Sequence, residues 1–418
     1  MWARTQLKIG WTDLLAGAVA CVVPGSRERE AARLESYWSG GDTIAAYSVR
    51  SGFDLLLQSL GLEPGDEVIF SALNVRGMIK IVSRLGYVPI PVDLDVAHFG
   101  PRMDKLEQAI SNRSRVLVVA HLFGTRLDLD PIVAFARKHN LLLVEDCAQV
   151  FDGKEYEGHP DADVAMFSFG PLKTSTALGG ALIRVRVPEL RGRMRALQAT
   201  YPVQKTVKQL KRVGQFAALK VVTSRFVMGR IYKFFHARGQ DYEDAVSERV
   251  RNVAPLGSSR KLRYQPSLAM LRLMARRIFG YQQGGLAETA AIGRRLRDLI
   301  GDAVVLPAQA NGVHNYWVFP MLVDQPQVFI DELREKGFDC ANLPRSQAVS
   351  PPEDRPQLEP KLAAQALSDL VVVPCYPGMP DSEIVREAEA IREIAARVGS
   401  ARTRSYSADP LSAAVDAA

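Results

Sequence analysis

The chain is poor in cysteine, in histidine and in long apolar runs, and each shortage removes a class of function. Four cysteines (Cys21, Cys147, Cys340 and Cys375) are scattered through 418 residues with no CxxC pair, so a disulfide framework is unsupported and a reduced, cytoplasmic compartment fits. Six histidines form no HxxxH or HExxH pattern, so no metal site is supported. The longest apolar run near the N-terminus, Leu14 to Pro24, is too short to span a bilayer, and the charged GSRERE after it offers no convincing cleavage site. It reads as a soluble or interfacial helix. No internal repeat is evident.

What is present describes a globular protein, with 47% hydrophobic and 24% charged residues. At this length two domains are expected rather than one. From Thr43 to Val185 short β-branched runs (EVIF, YVPIPVD, RVLVVAHLF, LLLVED, DVAMFSF, GGALIRV) alternate with helix-like stretches, which predicts an α/β fold with a mostly parallel, helix-covered sheet. A second alternation starts near Val304 and includes NYWVFPMLV, PQVFIDELREKG and EIVREAEAIREIAARVG, which predicts a smaller α+β domain. The expected division is an N-terminal helical segment over 1–40, a large domain over 41–290, a small domain over 291–400 and a disordered tail over 401–418.

Chemistry concentrates in the large domain. Lys173 stands in FSFGPLKTSTALGGALIRV, on a short connection between two strand-like runs. An ordinary lysine is a solvated surface residue; one held between buried elements is desolvated and gives up its proton more readily. Such an amine is the nucleophile that carbonyl chemistry with pyridoxal phosphate (PLP) requires. Upstream, the apolar strand LLLVEDCAQV ends in two carboxylates, and ligands of open α/β sheets bind at the carboxyl ends of strands. PLP acts as an electron sink when its pyridine nitrogen stays protonated, and Asp146 is placed to face that nitrogen. The plainer reading of Asp146 is a helix cap or a solvated loop acid.

Between Leu190 and Gln240 twelve lysines and arginines occur without one acidic residue. The apolar members of this stretch are too dispersed around a helix for one clean face. It reads either as a solvated basic helix or as a site for an anionic partner, a phosphate-bearing substrate or an anionic membrane surface. Nucleic acid is disfavoured, because no recognised binding motif or stacking-aromatic pattern accompanies the charge.

Four strings, in order, resemble the fold-type I PLP-dependent aminotransferases of the nucleotide-sugar (DegT/StrS-type) family: PGDEVI at Pro64 to Ile69, EDCAQ at Glu145 to Gln149, FSFGPLK at Phe167 to Lys173, and VVPCYPGM at Val372 to Met379. The likeness runs from about Ala45 to Ala396, interrupted by a basic insertion at about 190–260. The resemblance implies that Lys173 is the Schiff-base lysine and proton shuttle, that Asp146 pairs with the pyridine nitrogen, that Gln149 sits against the ring oxygen and that Ser168 binds the phosphate. Ser51 and Gly52 lie where the family's phosphate-binding turn opens a helix; a small residue and a glycine there let backbone N–H groups reach an anion, and a plain N-cap is a compatible reading.

Three departures from the family pattern stand out. Phe53 replaces the family's threonine, Val75 stands where an aromatic ring usually stacks on PLP, and Arg263 stands where a partner subunit normally lends an asparagine to the phosphate. Arg345 is the candidate for the amino donor's carboxylate. The resemblance implies a homodimer that moves an amino group from a donor such as glutamate to a keto group on a nucleotide-linked sugar. The basic stretch keeps open a lipid-linked or membrane-proximal acceptor and a place at the membrane's inner face. A PLP-dependent sugar dehydratase is a weaker reading, since such relatives carry histidine in place of the lysine. Val75 and Phe53 are the features that would favour a non-catalytic binding protein on the same fold.

Overall fold

The computed structural model describes residues 1–418 except 5, 225, 228, 232–261, 283, 344–345, 400–405 and 407–418, and of residues 284 and 285 the backbone alone. The expected tail apart from Tyr406, most of the basic stretch beyond residue 231, and Arg345 thus lie outside the described residues.

Seven strands form the central sheet: β1 (Thr43–Ala46), β2 (Glu67–Ser71), β3 (Val88–Val92), β4 (Ser114–Ala120), β5 (Leu142–Asp146), β6 (Val164–Ser168) and β7 (Ala181–Val185), in the order β1-β7-β6-β5-β4-β2-β3. Each of the six β-branched runs read from the sequence is one of these strands. Pairing is parallel from β6 across to β3, while β7 runs antiparallel to both β1 and β6. Their near-continuous apolar character follows from burial on both faces: Val116 to Val119, Leu143 and Val144 are fully buried.

Local packing fixes how the helices cover the sheet. Helix Val49–Ser59 begins at the N-cap Ser48, whose hydroxyl accepts from the Ser51 N–H at 3.1 Å. A Cβ on Gly52 would come within 2.7 Å of Ile183 Cδ1, so glycine lets this helix lie directly on β7. Phe53, next to it, is fully buried and packs edge-on to Phe70. That inward position explains why a hydroxyl is absent there: each fully buried side chain of this size contributes about 1.5–3 kcal/mol.

The smaller unit has two antiparallel strands, Phe319–Leu322 and Leu370–Val373, covered by helices Gly284–Ile300, Pro326–Glu335 and Asp381–Val398. Phe319, Phe329, Phe338 and Ile391 lie in its core together with Trp2. The boundary expected at 290/291 falls inside helix Gly284–Ile300. Residues 1–40 are tied to both halves. Trp2 bridges Phe338 and donates its indole N–H to Glu383 at 2.8 Å, and Arg4 pairs with Asp339. Helix Trp11–Val19 packs on helix Leu268–Phe279, where a Cβ on Gly17 would sit 3.2 Å from both Leu273 and Val213. Among the described residues no helix is long and apolar enough to cross a membrane.

Candidate active site

Because β4, β5 and β6 are parallel, the ends of three strands meet at one edge of the sheet, where the carbonyl dipoles and the connecting loops open a crevice. Asp146 is the last residue of β5 and Ser168 the last of β6. Lys173 lies on the connection from β6 to β7, which turns back at the same edge.

Asp146 is buried, and its carboxylate accepts the Ala148 N–H at 3.0 Å. Burial pushes its pKa up, against the pull of that N–H and of the nearby Lys173 ammonium. Lys173 is half-buried as a residue, but its amine is desolvated, which lowers its pKa to about 8 while the Asp146 carboxylate pulls the other way. The amine stands 4.3 Å from the centroid of the Trp317 ring. This contact comes from the smaller unit, and its placement is specified by a close backbone approach. Gly124 adopts φ +90°, and a Cβ there would lie 1.9 Å from Asn315 Oδ1 and 2.7 Å from the Trp317 N. Asn315 N donates to the Gly124 carbonyl, His314 pairs with Thr125, and the Trp317 indole donates to the Leu172 carbonyl at 2.8 Å. The aromatic ring therefore caps the lysine, and a cation–π contact of about 0.5–2 kcal/mol steadies its charged form.

Beneath this pair lies a buried network that the sequence reading did not single out. His121 follows β4, accepts the Leu127 N–H at Nδ1 (3.1 Å), and so carries its proton on Nε2, which donates to Glu145 at 2.7 Å. The same carboxylate accepts from the Tyr156 hydroxyl and from the His159 N–H at 2.8 Å. Burial alone would raise Glu145, yet the bonds from His121, Tyr156 and His159 hold it at about 2. The network ties the residue before Asp146 to two loops and so fixes the direction of the β5 terminus. His121, Glu145 and Cys147 offer metal-type ligand atoms within 4.8 Å of one another. Both His121 nitrogens are already engaged, and burial keeps the Cys147 thiol well above its usual range, so the trio reads as a hydrogen-bond network. Its only sequence signal was a histidine directly after a buried strand.

The remaining candidates are placed unequally. Gln149 accepts the Phe123 N–H at 2.6 Å through its side-chain oxygen, in the same loop cluster. Ser168 accepts the Gly170 N–H at 3.3 Å, which leaves its own proton for an anion. Ser51 lies inside the first helical turn rather than in a turn before it, and its hydroxyl donates to the Leu262 carbonyl, so in this arrangement it has no proton to offer a phosphate. Gly52 is explained by its packing on Ile183. Arg263 is bound to the buried Asp54 of its own chain at 3.0 Å, an interaction that raises its pKa further, so its guanidinium is engaged within the chain rather than held out for a partner. Val75 ends the short strand Leu73–Val75, is 38% exposed, and pairs with Ser346.

The donor set fits PLP in its chemistry: a desolvated amine, a buried acid within the field of that amine, and a hydroxyl with a free proton. The fold is that of the aminotransferases with which it superposes. Residues 24–222 match the DegT/DnrJ/EryC1/StrS aminotransferase family, a span that holds three of the four motifs and ends before the one at Val372 to Met379. The chain is 35% identical over 158 residues to the GDP-perosamine synthase of Caulobacter vibrioides, covering 37% of this chain and 42% of that protein. To the dTDP-3-amino-3,4,6-trideoxy-alpha-D-glucose transaminase of Streptomyces venezuelae it is 35% identical over 209 residues, 46% of this chain and 54% of that one. The chain thus spans about half the length of the curated relatives it matches. At the level of fold the likeness is nearly complete. The aminotransferase TlmJ from Streptoalloteichus hindustanus superposes with a TM-score of 0.69 at 18% identity, covering 95% of this chain and 99% of that one. NtdA from Bacillus subtilis with bound cofactor PMP gives 0.65 at 18% identity, covering 93% and 83%.

Proposed function

We propose that the protein is a PLP-dependent aminotransferase that moves an amino group from an amino acid such as glutamate to a keto group on a nucleotide-linked sugar. The observation that carries this reading is the Lys173 amine, desolvated, capped by Trp317 and within the field of the buried Asp146. PLP, when bound, supplies an electron sink for the carbon that loses or gains a proton. The chain's own residues do the rest. Lys173, with a pKa of about 8, is partly unprotonated near neutral pH and can hold the cofactor's carbonyl carbon and move the proton. With PLP bound, Asp146 would hold positive charge at the ring nitrogen, Ser168 would donate to the phosphate and Gln149 would stand by the ring, while Trp317 excludes water from the amine. The sugar acceptor is supported by what the relatives' names state for those proteins.

The finer parts of this reading are a homodimer, a cytoplasmic location, and attraction of the basic segment to the inner face of the membrane. Arg345 is the proposed contact for the donor carboxylate. The test is optical and direct. Purified protein given PLP is expected to be yellow, with an absorbance band that shifts when glutamate is added and is absent in Lys173→Ala. A wild-type protein that cannot be reconstituted with PLP refutes the proposal.

A further inference from the structure

Helix Thr206–Val222 has two apolar faces, which is why its sequence shows no single clean one. Val213 and Phe216 point inward, to the core that includes Leu273. On the opposite side Val207, Leu210 and Val221 are exposed, Val207 at 75%, with the exposed Ala218 between them and open space around Gly214. Spacings of three and four residues put all five on one stripe. Helix Trp11–Val19 repeats the pattern: Leu14 and Gly17 are buried, while Trp11 (54% exposed), Leu15 (66%) and Val19 form an outward stripe at spacings of four. The two helices pack against each other and both rest on helix Leu268–Phe279, so the two outward stripes lie on neighbouring helices.

Among the described residues the solvent-facing charges of these two helices are all cationic. Arg191, Arg193 and Arg195 are spent on the Val185 carbonyl, the Ser59 carbonyl and Glu35, and Arg212 on the Leu178 carbonyl, so they belong to the fold. Lys205, Lys208 and Lys211 remain solvent-facing at the start of the stripe, Lys208 lying over the Tyr264 ring. An exposed apolar stripe flanked by lysines, on helices too short to span a bilayer, has the composition of an interfacial surface. A two-fold contact with a second copy would set lysine against lysine.

We propose that the outward stripes of the neighbouring helices Trp11–Val19 and Thr206–Val222 together dock on an anionic phospholipid bilayer. Trp11, Leu15, Val207, Leu210 and Val221 enter the boundary between headgroups and acyl chains, and Lys205, Lys208 and Lys211 meet the lipid phosphates. None of these residues is among those placed at the active site, so the proposal stands on its own observations and does not depend on the aminotransferase reading.

The full-length protein, supplied with PLP, is co-sedimented with vesicles of phosphatidylcholine alone and with vesicles carrying about 30% phosphatidylglycerol. The wild type is expected to bind the anionic vesicles and to lose affinity as salt rises. Leu15→Glu with Val207→Glu, both at exposed positions, is expected to lower affinity by roughly tenfold or more with unchanged melting. Replacing Lys205, Lys208 and Lys211 by glutamine is expected to lower it on the order of a hundredfold at low salt, from about 1 kcal/mol for each lysine. Equal binding by the wild type and the Leu15/Val207 variant overturns the proposal, as does a wild type that binds neither vesicle. A wild-type dimer that the same variant splits, without vesicle binding, assigns the face to a second copy and also overturns it. Lys173→Ala is expected to bind vesicles as the wild type does, so the loss of either reading is seen separately.

Discussion

Holding Lys173 in its pocket has a stability cost that can be measured. The perturbation is Lys173→Met, which keeps the length of the side chain and removes the charge, in protein stripped of PLP. The amine's pKa is lowered from 10.5 to about 8 in the folded chain, so between those values the unfolded chain binds more protons and stability rises with pH. Linkage between these two values makes the buried ammonium cost about 3 kcal/mol at pH 7, about 2 kcal/mol at pH 9 and about 0.4 kcal/mol at pH 10.5. Asp146 loses an attractive neighbour in the same variant, so about 3 kcal/mol is an upper bound on the gain. Urea unfolding of both proteins at pH 7, 9 and 10.5 is expected to show the methionine variant more stable at neutral pH, with the difference shrinking as pH rises. A difference that stays flat with pH, or a wild type equally stable at pH 7, refutes the argument that the amine is desolvated. The chemical case for Lys173 as nucleophile would fall with it.

Other consequences are narrower. Asp146→Asn removes the negative charge proposed to face the ring nitrogen and is expected to lower the rate of amino transfer by about a hundredfold or more, measured as kcat with saturating PLP. Glu145 has a folded pKa of about 2 against 4.5, so its contribution of about 3 kcal/mol is fully present above pH 4.5 and is lost as pH falls toward 2. Glu145→Gln is expected to flatten the acid-unfolding profile between those limits; an unchanged profile refutes the network's part in stability. Gly180→Ala combines φ +88° with a Cβ 2.1 Å from Met274 Sδ and is expected to destabilise by about 3 kcal/mol in denaturant titration.

The large sheet was legible because its strands are buried on both faces and read as unbroken β-branched runs. The strand Thr43–Ala46 was not named among them, since TIAA is short and three of its four residues suit a helix equally. The reversal of β7 was also missed, although the connection from Phe169 to Gly180 holds no helix to carry a parallel crossover. Lys173 and Asp146 were legible because their types and the edges of their strands are local facts. Trp317 was not: NYWVFPMLV shows a strand, and only the clasp between Gly124 and Asn315 brings its ring over the lysine. Arg263 misled for a similar reason. The acid that engages it, Asp54, is more than two hundred residues away in sequence, and no local pattern joins them.

The pairing of Trp2 with Phe338, and of Gly17 with Leu273, has a consequence during synthesis. At about 5–20 residues per second, residue 338 follows residue 2 by roughly 17–67 s. For most of that interval helix Trp11–Val19 is outside the ribosome without the helix that covers its inner face, so both of its apolar sides are open to solvent at once. This helix is therefore completed late, long after its own residues are made. Whatever binds apolar helices early, a holding chaperone or a bilayer, meets this one before the active site exists.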